Sequence, residues 1–247
     1  MTRMTGSILA GAAAILTTAV AISPASAQLQ AQVAWCGNMA HKFSLAMQIG
    51  GCTTLIESGK MADKPLAWSH ANRGMAYVFK GDIDKAMTDF NKAVELDPTY
   101  ATALVDRGTA YDNKGDHEHA IADFDAALKL DTKSPDALTG RCAARAEAGN
   151  DLQQALADCE QSLAIHGKDA GALNSRAFTY LRLGKFDEAI ADYNAALKSN
   201  PKLASALYGR GLAKQKKGDT AGGQVDMATA NLVQSDIADE FAGYGVK

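Results

Sequence analysis

From Ala67 to Ile237 the chain repeats itself at a spacing of 34 residues, and this period constrains the fold more than any local pattern does. Arg73, Gly74 and Tyr77 return as Arg107, Gly108 and Tyr111; Gly81, Ala86, Phe90 and Ala93 return as Gly115, Ala120, Phe124 and Ala127. Five units follow at 67–100, 101–134, 135–169, 170–203 and 204–237, the third one residue longer because of an insertion near Gly149-Asn150-Asp151. A unit this short cannot bury an apolar face alone, so neighbours must stack into a solenoid.

Each unit reads as two helices. The first carries small residues at repeat positions three, eight and ten, such as Ala103, Gly108 and Ala110; the second carries Ala, aromatic, Ala at positions twenty, twenty-four and twenty-seven. Residues three and four apart share a helix face, so these small side chains line a seam of close approach. Position fifteen is always glycine (Gly81, Gly115, Gly149, Gly184, Gly218), as a helix stopped in the left-handed conformation requires. Asp82, Asp116 and Asp219 follow as N-caps of second helices, Asp97-Pro98 and Asn200-Pro201 end second helices, and Ser134-Pro135 is a cap followed by a first-turn proline.

The order small-Gly-small-aromatic, Gly-Asp turn, Ala, aromatic, Ala, Asp-Pro resembles the tetratricopeptide repeat family over residues 67–237. The resemblance implies an all-α, right-handed superhelical solenoid of antiparallel helix pairs. Upstream, residues 28–66 depart from the repeat. Ile49 to Ile56 nevertheless aligns with Leu156 to Leu163, which makes this stretch a degenerate leading repeat with a first helix at Ala31 to Ala40. Downstream, residues 238–247 are a tail completing a short capping helix over Ser235 to Tyr244, with Ile237 and Phe241 on one face.

Residues 1–27 read as a bacterial secretory signal peptide: Arg3 is the basic n-region, Ile8 to Ile22 the apolar run, and Ala25-Ser26-Ala27 the cleavage site. A periplasmic or secreted mature protein is therefore expected, with no membrane span once the leader is removed. The chain has 25 Lys and Arg against 28 Asp and Glu. It shows no basic run, which argues against a nucleic-acid partner.

Four cysteines in an exported chain allow three pairings. Cys142 and Cys159 fall on positions eight and twenty-four of the third unit, and Cys36 and Cys52 on the same slots of the leading unit. Those slots face across a helix pair, so Cys36–Cys52 and Cys142–Cys159 are the expected disulfides, four buried free thiols being the alternative. Arginine at position seven and aspartate at position twenty-three recur together, predicting the ion pairs Arg73–Asp89, Arg107–Asp123, Arg141–Asp158, Arg176–Asp192 and Arg210–Asp226. The alternative is an anion-binding arginine stripe. His117 and His119, two apart at a helix start, point to different faces and predict no metal site. No catalytic or cofactor motif occurs, so neither an enzyme nor a cofactor is expected.

In the family it resembles, the concave wall is built from positions two, five, nine, twelve and thirteen. Carried onto this chain, the wall is apolar at both ends: Trp68, Met75, Val78 and Phe79 at one, Phe178, Leu181, Tyr208 and Leu212 at the other, with Arg182 and Lys216 on the rim. Asp112, Asp136 and Glu147 make the middle acidic. The Lys, Asn and Arg of the carboxylate clamp are replaced by Ala71, Met75, Asp106 and Asp136, so that activity is not carried over. The expected function is a non-catalytic scaffold or adaptor whose groove binds a protein or peptide through Phe178, Leu181, Arg182, Tyr208, Leu212, Lys216, Met75 and Phe79. The alternatives are a structural spacer with a self-filled groove, or a non-catalytic subunit of an envelope enzyme complex. Trp68 and Phe79 could equally bury against the leading unit.

Overall fold

The computed structural model describes residues 24–38 and 42–246. Among these residues there are thirteen helices and no strand. The leading unit is α1 (Pro24–Gly37) and α2 (Leu45–Glu57). The five repeats are α3 (Asp63–Lys80) with α4 (Ile83–Leu96), α5 (Ala101–Asn113) with α6 (His117–Leu130), α7 (Pro135–Ala148) with α8 (Leu152–His166), α9 (Ala170–Arg182) with α10 (Phe186–Ser199), and α11 (Ala204–Lys216) with α12 (Thr220–Val233). The tail forms α13 (Ile237–Gly243). Residues 1–23 of the stretch read as a leader lie outside the described residues, as do 39–41. The first helix of the leading unit begins at Pro24 and stops at Gly37, earlier than the Ala31 to Ala40 expected from sequence.

The local signals act as the repeat spacing demands. Gly81 and Gly149 adopt φ of 82° and 77° and end α3 and α7. Asp82, Asp116 and Asp219 each accept a backbone N–H three residues on, and Ser134 caps α7. The core runs along the seam between paired helices. Phe90, Phe124 and Tyr193, all at position twenty-four, are fully buried. Gly74, at position eight, explains how: a Cβ there would stand 2.7 Å from the Phe90 ring. Cross-pair contacts such as Thr139–Ser162 and Cys142–Cys159 run in opposite senses along α7 and α8, so the pair is antiparallel.

Both expected cysteine pairs are bonded, with Cα–Cα separations of 4.5 Å for Cys36–Cys52 and 5.6 Å for Cys142–Cys159. They occupy the two slots that a small residue and an aromatic share in the first, second and fourth units, so each replaces a packing contact by a covalent one.

All five arginine–aspartate pairs are bidentate, with N···O distances of 2.6–2.9 Å. The aspartates are buried and the arginines partly so. Four arginines also reach backward: Arg73 donates to Thr53, Arg107 to Asn91, Arg141 to Asp125 and Arg210 to Asn194, each on the second helix of the preceding unit. The row therefore ties helix to helix and unit to unit. A free anion-binding stripe would need open guanidiniums, and these are engaged.

Candidate functional site

The C-terminal half of the concave wall is already occupied. Helix α13 turns inward and lays Phe241 against Phe178 and Tyr208, with ring centroids 5.4 and 4.9 Å apart. Ile237 is fully buried and Phe241 is 2% exposed, within the same core cluster as Leu181 and Leu212. Tyr244 follows, 5.6 Å from the Phe178 ring and 6.3 Å from the imidazole of His117, three units back from the tail's own attachment. Ile237, Phe241 and Tyr244 are spaced i, i+4, i+7, one helical face directed into the groove.

This corrects the expectation of an open patch at Phe178, Leu181, Tyr208 and Leu212: all four are buried beneath the tail. Arg182 is not an open rim residue either. Its Nη1 donates to the carbonyls of Ala146, Glu147 and Tyr244, fixing the end of the tail to the end of α7. Lys216 remains exposed. At the other end, Trp68 packs beside Gly37 of the leading unit, whereas Phe79 is 62% exposed. Met75 and Phe79 line an open groove of about 620 Å³ with Phe43, Leu45, Gln48 and Asn72. The wall thus has one filled apolar half and one open one.

Between them lies an acidic centre. His117 Nδ1 is 2.7 Å from Asp112 Oδ1 and 3.9 Å from Glu147 Oε2. Burial, with Asp112 and Glu240 nearby, pushes the Glu147 carboxyl up to about 8. Burial also raises Asp112, against the opposing hydrogen bond from His117. On the flank, burial and the neighbouring Asp136 carry Asp106 up to about 7. Charge in this strip is poorly solvated and poorly paired.

Family models described as a tetratricopeptide repeat match residues 67–100 and 101–134, and one described as a TPR repeat matches residues 179–218. This is a tetratricopeptide-repeat protein. The first two matches share the unit boundaries read from the period. Among curated relatives, the photosystem I assembly protein Ycf3 of Synechococcus sp. (strain WH7803) is 38% identical over 79 residues, covering 31% of this chain and 46% of that protein. The chain therefore spans less than half of that relative's length. Among solved structures, a tetratricopeptide repeat protein from Parabacteroides merdae superposes with a TM-score of 0.64 at 18% identity, covering 87% of this chain and 90% of that one. YrrB, titled a TPR protein with an unusual peptide-binding site, gives 0.52 at 21%, covering 78% and 97%. At these identities the structural likenesses establish the fold alone.

In this tetratricopeptide-repeat protein the disulfides and the ion pairs join the residues expected from sequence, but three contacts were not expected. The backward bonds of the arginines had a visible signal, since position twenty-five is polar in several units (Asn91, Asp125, Asn194). His70, whose Nδ1 lies 2.8 Å from Asp89 Oδ1, had none. Nor did the meeting of His117 with Glu147, which comes from the next unit.

Proposed function

We propose that this tetratricopeptide-repeat protein is an exported, non-catalytic scaffold that binds a protein segment in its concave groove and whose C-terminal tail occupies that groove until a partner replaces it. One observation carries the reading: α13 lies in the groove as a docked helical peptide would, with aromatic anchors in an aromatic-lined pocket. The tail also states the chemistry that fits, namely apolar residues at i, i+4 and i+7 with acidic residues (Asp239, Glu240) beside the central anchor. Export is supported by the leader pattern and by two disulfides, which persist in oxidising compartments. No helix among the described residues is long and apolar enough to cross a membrane.

A labelled synthetic peptide of residues 234–247 tests the reading. It should bind the Phe241→Ala chain with Kd below about 1 mM, bind the native chain more weakly, and crosslink to the faces of α9 and α11. Absence of binding to either form, or crosslinks to second helices, would defeat the groove reading. The buried patch specifically favours a second reading, a spacer whose groove the tail fills permanently; equal refusal of peptide by both chains would favour it. Intact mass of the exported protein, expected to begin at Gln28, tests the leader.

A further inference from the structure

We propose that Asp112, His117 and Glu147 form a site for a divalent first-row metal ion of the Zn²⁺ class at the centre of the concave face. The three side chains come from three helices, at the end of α5, the start of α6 and the end of α7. Their donor atoms all lie within 4.8 Å of one another. Tetrahedral Zn²⁺ holds nitrogen and oxygen ligands at roughly 2.0–2.2 Å, which places neighbouring donors about 3.3 Å apart. The observed separations of 2.7 and 3.9 Å straddle that value, so small side-chain rotations close the site. The set is also withdrawn from water, each side chain being 14–21% exposed.

The repeat itself supplies an independent reason. Asp112 and His117 sit at positions twelve and seventeen. In the first, third and fourth units these slots hold Val78 and Ile83, Ala146 and Leu152, and Leu181 and Phe186, all apolar. The second unit forgoes that apolar packing at both slots at once, as the terminal fifth unit does with Gln215 and Thr220. The two polar replacements of the second unit face each other, and the next unit brings a carboxylate to meet them. An Asp–His pair alone would engage two of the groups, while Glu147 has a side-chain hydrogen bond with Tyr244. No lysine or arginine forms an ion pair with Asp112 or Glu147 among the described residues, and Arg182 is committed to backbone carbonyls.

Beside the cluster is a cavity of about 40 Å³ lined by Glu147, Glu240, Asn174, Ser175, Ser205 and Tyr193. Tyr193 is fully buried, and its hydroxyl has no hydrogen-bond partner among the described residues. Of the three ligands Glu147 alone lines this space, which exceeds what one water needs. A dication balances the carboxylates, and the imidazole favours Zn²⁺, Ni²⁺ or Cu²⁺ over Ca²⁺ and Mg²⁺, which take all-oxygen sites. The bound ion would join unit two to unit three beside Tyr244.

Equilibrium dialysis of the full chain against Zn²⁺ tests this, with helix content checked by circular dichroism. One ion per chain is expected, and equimolar Ca²⁺ or Mg²⁺ should not displace it. His117→Ala and Glu147→Gln should each weaken binding at least about tenfold, whereas His119→Ala, on the exposed neighbour, should leave it unchanged. Should His117→Ala fail to fold, the near-isosteric Glu147→Gln decides. The proposal is overturned if the native chain shows no saturable binding, if Glu147→Gln binds as the native chain does, or if His119→Ala loses the ion.

Discussion

Replacing Phe241 by alanine should release the tail and leave the solenoid standing. The Phe241 ring is 2% exposed and touches Phe178, Tyr208 and Tyr244. Its truncation forfeits the transfer free energy of the ring and opens a cavity, together about 3–5 kcal/mol. A helix of seven residues is not stable alone, so α13 is ordered only by docking. What docks it is Ile237, Phe241, Tyr244 and the bond from Arg182 to the Tyr244 carbonyl. Losing the largest of these exceeds what a terminal segment of this size can hold in reserve. The paired helices beneath keep their own cores and their own arginine–aspartate pairs, so opening should stay local. Hydrogen exchange read by mass spectrometry is the assay. Backbone amides of residues 237–244 should lose protection by about a hundredfold or more, at tenfold per 1.4 kcal/mol, while α3 to α10 keep theirs. Protection at 237–244 changed by only a few fold would show that Phe241 does not hold the tail. Equal loss throughout α9 to α12 would show that α13 is an integral cap, and the displaceable-tail argument would fail.

Asp123→Ala strands the partly buried Arg107 and should cost about 2 kcal/mol in urea unfolding, between the values for exposed and buried pairs; Arg107→Met with Asp123→Leu should recover part of it. Removing the Cys142–Cys159 bridge by a double alanine substitution reopens a loop of sequence separation 17 and should cost roughly 3 kcal/mol, measured by the same unfolding. Asp106 gives a pH signature: its folded pKa of about 7 lies above the ordinary carboxylate value. The fold thus prefers the protonated form, and stability should fall as pH rises from about 4 to 7. Asp106→Asn should accordingly raise the melting temperature at pH 8 and leave it unchanged near pH 3.5.

Much of the architecture was legible because a repeat states each contact several times. Arginine at position seven and aspartate at position twenty-three recur together in every unit, and a contact between them accounts for the paired recurrence better than a stripe of arginines does. The same register put Cys142 opposite Cys159 and, through the leading unit, Cys36 opposite Cys52. The start of α1 was less legible, since the leading unit lacks the Gly-aromatic seam that fixes register elsewhere.

By itself the sequence determined the all-α solenoid, its period and its turns, and it pointed to the covalent and ionic ties between paired helices. These follow from contacts at fixed separations of about half a repeat, which local spacing encodes. Only the tertiary structure decided that Phe241 and Tyr244 fold back over Phe178 and Tyr208, and that Glu147 meets Asp112 and His117. Those contacts occur once in the chain, join residues 30 or more positions apart, and depend on how stacked units curve the wall. A period reports what every unit shares; it carries no record of a meeting that happens in one place.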